Sequence, residues 1–298
     1  MKESTKRIIR YHGLRPDRAF HNWLYFAHYK IYVKTMLAAG RFLQKHFGGM
    51  WLLSRPYKAV FERYHSKVMT ESDVRKILTL NRELDLGPHK QVIPYAYANK
   101  IIFDEPDFIV VMDCPCRLHR EHHCEPVTVC MAVGRYYGQL WLEHSQKFHP
   151  RRITQEEALE LVRSQREKGC ITTAWVKVGT GGRTGIICNC CTCCCGGLEG
   201  MRLVKTIKGG ENVSNVAPSG YKVDHDPALC TACGTCISGC MFGAVTAGDN
   251  GAPVYNRAAC MGCGLCVEHC PQNARSLNKD FADGLFPLDL DMLQQKRQ

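Results

Sequence analysis

The chain has 298 residues, 45% hydrophobic and 22% charged, a length for about two domains and a balance that excludes disorder along most of it. Its 19 cysteines are an odd number, packed three residues apart or touching, which does not suit a secreted disulfide scaffold. Residues 1–70 carry 14 Lys and Arg against 3 Asp and Glu, the whole of the net +11, while the remainder carries 25 of each sign.

The opening residues Met1-Lys2-Glu3-Ser4-Thr5-Lys6-Arg7 lead into no apolar core or small-residue cleavage site of a secretion signal. A reducing, cytoplasmic setting is therefore expected, where clustered thiolates bind metal. Residues 1–70 also hold 13 of the 27 aromatics. Over 18–39, Phe20, Trp23, Leu24, Ala27, Ile31 and Ala38 recur largely at helical spacing, and Tyr25, Tyr29, Tyr32 and Met36 widen that face. Lys30, Lys34 and Arg41 interrupt it, so no run reaches the ~18 uncharged residues of a membrane span. Gly48 and Gly49 end this helix, and Ser54-Arg55-Pro56 predicts the cap and first turn of another. A further helix is expected over 70–84, with Val74, Ile77, Leu78 and Leu84 inward and Gly87-Pro88 as its stop.

An α/β segment follows. Residues 108–112 form an apolar run suited to a strand that delivers Cys114. Thr154-Gln155-Glu156-Glu157 is a capping-box sequence opening a helix that buries Ala158, Leu159, Leu161 and Val162 and ends at Gly169. Residues 171–178 are rich in β-branched side chains and are expected to pair with 185–188 across a glycine-rich hairpin turn, which lacks the Gly-Lys-Ser/Thr ending of a phosphate loop. One cysteine group is Cys114-Pro115-Cys116-Arg117 with Cys124 and Cys130; the other is Cys188-Asn189-Cys190-Cys191-Thr192-Cys193-Cys194-Cys195. In an extended chain Cys190 and Cys191 point to opposite faces, so this run suits a loop pressed between two centres or a turn around one. Cys170 stands apart and reads as an ordinary buried thiol, and the loop holding His119, His122 and His123 reads as solvated.

The last third repeats with a period of 30 residues: Asp226 to Cys240 aligns with Asn256 to Cys270, and all eight cysteines superimpose. Each copy reads C-x2-C-x2-C-x3-C. By resemblance to bacterial-type ferredoxins, three thiolates at that spacing are expected to wrap a loop around one corner of an iron–sulfur cubane, while the fourth, expected to begin a short helix, reaches the other cluster. Zinc sites prefer paired C-x2-C knuckles separated by a longer loop. The repeat resembles bacterial-type 2[4Fe-4S] ferredoxins over residues 220–280. That resemblance implies two [4Fe-4S] clusters, one held by Cys230, Cys233, Cys236 and Cys270, the other by Cys260, Cys263, Cys266 and Cys240. Pro271 follows Cys270 as the family pattern expects; Met241 stands in that place after Cys240 and removes no ligand.

The Cys-x-Cys-Arg loop and the Cys-Asn-Cys-Cys-x-Cys-Cys-Cys run, set before such a repeat, resemble the cysteine-rich 4Fe-4S-binding proteins of anaerobic bacteria over residues 70–280. The resemblance implies a part in anaerobic metabolism. Ten thiolates (Cys114, Cys116, Cys124, Cys130, Cys188, Cys190, Cys191, Cys193, Cys194 and Cys195) suffice for two further cubanes with two to spare, or for one cubane and a tetrahedral zinc. At least one further iron–sulfur cluster is preferred over a zinc-only site or metal-free dithiols.

The expected fold class is α+β: a basic aromatic helical region at 1–70, a cysteine-rich α/β metal-binding domain at 71–214, a pseudo-two-fold ferredoxin-like domain at 215–280 and a tail at 281–298. The expected function is transfer of single electrons between redox partner proteins, a carrier in preference to a stand-alone enzyme, with no catalytic residue assigned. The alternative is an iron–sulfur oxidoreductase with a substrate-reducing centre at the upstream cysteines, where Cys194-Cys195-Gly196 superficially resembles a heterodisulfide reductase signature. No hydrolytic motif competes. Nucleic acid is not an expected partner, because aromatics at helical spacing are more often core than stacking platforms. The basic head is expected either to pack on the cluster domain, or to lie peripherally on an anionic membrane surface or an acidic partner.

Overall fold

Four helices precede the first strand: α1 (Glu3–His12), α2 (Pro16–Ala27), α3 (Tyr29–Phe47) and α4 (Ser54–Arg63). They belong to a computed structural model that describes the chain except for residues 14, 89–90, 96–99, 178–182, 279–284 and 296–298. Pro16 opens α2, where its missing N–H costs nothing. The single helix expected over 18–39 is broken at His28, whose φ of −127° and ψ of 31° separate α2 from α3. α3 ends at Phe47, before Gly48 and Gly49. Ser54 opens α4 without capping it; its hydroxyl donates to the Trp51 carbonyl at 2.8 Å and closes a 3-10 turn over Trp51–Leu53.

The middle of the chain runs β1 (Tyr64–Met69), α5 (Glu71–Leu78), β2 (Leu84–Pro88), β3 (Lys100–Phe103), β4 (Ile109–Asp113), α6 (Pro115–Leu118), β5 (Thr128–Val133), α7 (Arg135–His144), β6 (Arg151–Ile153), α8 (Gln155–Glu167), β7 (Ile171–Lys177), β8 (Ile186–Cys190), α9 (Gly196–Lys205) and β9 (Val216–Ala217). Seven strands form one sheet in the order β6-β4-β5-β8-β7-β1-β9, antiparallel throughout except for β1 beside β9. The sheet thus draws one strand from the first 70 residues and one from beyond residue 214.

The helix expected over 70–84 stops at Leu78. Leu84 instead opens β2, where Leu84 and Leu86 are buried and Asp85 is exposed, an alternation of period two that pairs with β3 in a hairpin. The capping box forms as expected: Thr154 accepts from the Glu157 N–H and the Glu157 carboxylate from that of Thr154. β7 and β8 pair as expected; most of the glycine-rich turn between them lies outside the described residues.

Strand alternation divides the core. Met69, Ile109, Val111, Met131, Ala174 and Ile187 face α5, α8 and the β2–β3 hairpin. Val110, Met112, Cys130, Ala132, Trp175 and Ile186 face α7 and α9 on the other side. α3 packs on α6 and α9, and α1 and α2 on α7, so the head also lies on this second side.

The C-terminal part comprises β10 (Lys222–His225), α10 (Thr235–Ser238), β11 (Val245–Ala247), β12 (Pro253–Tyr255), α11 (Leu265–Glu268), β13 (Arg275–Asn278) and α12 (Leu290–Gln295), with β10 paired to β13 and β11 to β12. The fourth cysteine of each copy does not begin a helix. Gly234 and Gly264, at φ +78° and +85°, reverse the loop and start α10 and α11; each helix holds the third cysteine, and Cys240 and Cys270 follow its end. The fold is α+β. Among the described residues no helix is long and apolar enough to cross a membrane.

Candidate metal centres

The two C-terminal cysteine loops are built alike. In each, the first cysteine accepts a backbone hydrogen bond from two residues ahead, Ala232 N–H to Cys230 Sγ at 3.4 Å and Gly262 N–H to Cys260 Sγ at 3.3 Å. The fourth accepts one from four residues ahead, Ala244 N–H to Cys240 Sγ and Ala274 N–H to Cys270 Sγ, both at 3.3 Å. Donors aimed at sulfur stabilise thiolate charge and raise the potential of a bound cluster. A small cavity is lined by Cys230, Cys233, Cys236 and Cys270, bringing the fourth cysteine of the second copy to the first loop. Cys240 packs conversely with Cys260 and Cys266 around Val223 and Ala244. The four sulfurs at each end suit a cubane.

Burial separates the two groups. Cys233 is exposed, and its thiol lies below the usual range because the Thr235 hydroxyl and N–H bond to it. Cys263 lies against the sheet's core with Met261 and Leu265, and burial pushes its thiol up to about 12. The contact is latched by Arg166 of α8, itself buried, whose guanidinium donates to both carboxylate oxygens of Glu268 at 2.6 and 2.8 Å and to the Cys263 carbonyl at 2.6 Å.

Upstream, the sheet collects cysteines on one face. Cys130 of β5 stands directly opposite Cys188 of β8, sulfurs 3.9 Å apart, and Cys190, two residues on, points to the same side. Cys195 at the entry of α9 brings its sulfur to 3.3 Å from that of Cys190. Cys114 and Cys116 come from the β4–α6 junction, and all six line one small cavity together with Cys191 and Cys194 of the adjoining run. The approach of α9 requires glycine: a Cβ on Gly197 would lie 2.1 Å from the Trp175 ring. The sulfur of Cys190 is held well below the usual thiol range by hydrogen bonds from Cys188 and then Cys195, whereas the bond to Cys190, with burial, pushes Cys195 well above it. Ionising such packed, buried sulfurs together calls for a cation.

Four further upstream cysteines, Cys124, Cys191, Cys193 and Cys194, form a second group whose sulfurs all lie within 4.8 Å of one another. Cys190 and Cys191 therefore do diverge, one to each group. A hydrogen bond from Cys170 holds the Cys191 thiol down at about 4, and burial pushes Cys193 and Cys194 up to about 11.

Two residues gain a place that sequence reasoning missed. Cys170, read as an ordinary thiol, sits beside Cys191. Arg117, at the start of the loop expected to be solvated, is only 1% exposed and reaches the Cys170 sulfur at 3.6 Å. Its position directly after Cys116 was the one signal available. His119, His122 and His123 do not join the four-sulfur group; His123 Nδ1 stands 3.3 Å from a Glu125 oxygen.

Residues 229–275 match the family model of the 4Fe-4S dicluster domain. Neither the curated proteins nor the solved structures yielded a match. A ferredoxin-like 4Fe-4S domain is thus present in the C-terminal part, and together with the cysteine groups it points to an iron–sulfur redox protein.

Proposed function

We propose that this protein is a multi-cluster electron carrier, passing single electrons between redox partner proteins. In this reading Cys230, Cys233, Cys236 and Cys270 hold an outer [4Fe-4S] cluster, Cys240, Cys260, Cys263 and Cys266 an inner one, and the upstream cysteines at least one further iron–sulfur centre. Bound clusters would supply one-electron chemistry. The chain's own part is to bind them, to order them and to aim backbone N–H groups at their sulfurs. The observation that carries the reading is the graded burial: an exposed cysteine loop at one end, a loop packed on the sheet core next, and buried thiols within that core. An outer centre open to a partner, followed by inner centres shielded from solvent, is the layout a relay needs. Anaerobic reductive titration followed by electron paramagnetic resonance tests it. At least about two electrons per chain should enter reduced [4Fe-4S] centres that interact magnetically; signals from one isolated centre would contradict it.

One observation favours a substrate-reducing centre as a second reading. An apolar cleft of about 240 Å³ between α3, α4 and α9 reaches Cys116 and Gly196. A small apolar acceptor seated there would touch the upstream centre, and a spectrum of that centre unchanged by thiols, disulfides and small acceptors would remove the reading. The head supports a membrane or acidic partner: Phe20, Trp23, Ile31, Phe42, Trp51 and Leu52 are exposed among its lysines and arginines.

A further inference from the structure

The upstream cysteines fall into two sets of different geometry, and we propose that the outer set, Cys124, Cys191, Cys193 and Cys194, holds a single tetrahedral divalent ion and not a cubane. The assignment rests on reading these cysteines as metal ligands and is independent of the C-terminal pair of clusters. Its first support is spacing. Metal–sulfur bonds of about 2.3 Å in a tetrahedron put the sulfurs about 3.8 Å apart. The four sulfurs here lie within 4.8 Å of one another, with Cys124 to Cys193 at 2.9 Å and Cys193 to Cys194 at 3.5 Å. Thiolates on a cubane each hold a different iron, so the whole inorganic core separates them.

The backbone shapes this set. The Cys195 N–H donates to the Cys191 carbonyl at 3.2 Å, closing a turn that gathers Cys191, Cys193 and Cys194. Cys124 arrives from the loop after α6, and its N–H donates to the Cys194 sulfur at 3.5 Å. Such a bond stabilises a sulfur that carries charge.

The second support is electrostatic. Four thiolates around a divalent ion leave a charge of about −2. Arg117 donates to the carbonyls of Cys124, Pro126 and Asn189, to Gln165 Oε1 and to the Cys170 sulfur. Among the described residues no carboxylate pairs with it. A guanidinium buried without a carboxylate partner calls for another anion; Arg117 lies beside both cysteine sets, so it marks an anionic sulfur site here, and the sulfur spacing is what distinguishes a single ion from a cubane. Thiolate ligands in a tetrahedron select zinc or ferrous iron. The ion ties the loop at 119–127 to the turn at 191–195 and closes both over the buried set. That set, Cys114, Cys116, Cys130, Cys188, Cys190 and Cys195, also has close pairs, at 3.3 Å for Cys190 and Cys195 and 3.9 Å for Cys130 and Cys188. Among the described residues, however, it is the outer four whose sulfurs all lie within 4.8 Å of one another, and the six thiolates of the buried set remain for an iron–sulfur centre.

The test uses the full chain prepared anaerobically, with metals, acid-labile sulfide and Mössbauer spectra measured on the same sample. The unmodified protein should hold one zinc, or one high-spin ferrous ion without matching sulfide, per chain. For zinc, X-ray absorption at the zinc edge should show four sulfurs at about 2.3 Å and no neighbouring iron; for ferrous iron, the Mössbauer spectrum should show one high-spin ferrous doublet per chain apart from the cluster doublets. Cys124→Ala/Cys193→Ala should lose that one ion and leave cluster iron and sulfide unchanged. Loss of about four irons with their sulfide would overturn the assignment, as would an unmodified protein with no ion beyond its clusters. Should the double variant fail to fold, the unmodified protein decides, by its zinc-edge spectrum if the ion is zinc and by its Mössbauer doublets if it is iron. Absence of [4Fe-4S] signals in the same sample would overturn the electron-carrier reading and leave the ion assignment standing.

Discussion

Lys67 points from β1 into the core, 2% exposed, its ammonium donating to the Pro218 carbonyl at 2.9 Å. Burial pulls its pKa down to about 7, against the opposing pull of Asp73. In the unfolded chain a lysine keeps its proton to about pH 10.4. Between those values the unfolded state binds the extra proton, so stability rises with pH, by about 2 kcal/mol from pH 7 to 9. Urea unfolding of the anaerobic protein at pH 7, 8 and 9 should show this rise, and Lys67→Met should flatten it; a slope that survives the substitution contradicts the assignment. Gly197 makes a steric prediction. Gly197→Ala forces the Trp175 ring aside and should cost about 1–3 kcal/mol. Thermal unfolding would show it, with loss of metal from the buried set beside Cys195. Arg117 and Cys170 were not legible as site residues, because burial of a loop arginine and the meeting of Cys170 with Cys191 depend on contacts across the sheet.

Among elements, α8 matters most for seating the second cysteine loop, since it carries the Arg166 latch. Arg166→Ala leaves Glu268, which is one-third exposed and regains water, so the loss should be nearer about 2 kcal/mol than the 3–5 of a fully buried pair. Amide exchange should quicken across 260–270 and stay unchanged in the β4–β5 hairpin. The start of α8 was legible because a capping box is local chemistry, and so was the pairing of β7 with β8, from β-branched runs on either side of a glycine-rich turn. The break at His28 carried no glycine or proline, so the α2–α3 boundary left no local mark. The strand at Leu84 was hidden for another reason: Ile77 and Leu84, seven residues apart, fit one helical stripe, and only the partner β3 decides for period two. Arg166 carried no local mark of its place, which depends on the second cysteine loop lying against it.

For the molecule as a whole, basic charge lies on the helical head and thiolates on the rest. The grouping of the eight C-terminal cysteines into two like loops was legible because their repeat is contiguous; the division of the ten upstream candidates was not, because it follows from which face of β8 and which side of one turn each occupies. The head should bind anionic vesicles at low salt and release them at high salt, where screening shortens its reach to a few ångströms. Flotation of the full chain against phosphatidylserine vesicles at both salts checks this; equal flotation, or none at either, contradicts it. The central claim, that these cysteines hold iron–sulfur clusters, is tested most directly by iron and sulfide quantitation with Mössbauer spectroscopy on anaerobic protein. At least about eight irons per chain with matching sulfide, in [4Fe-4S] doublets, is the predicted result; about four irons or fewer in a folded chain would contradict it.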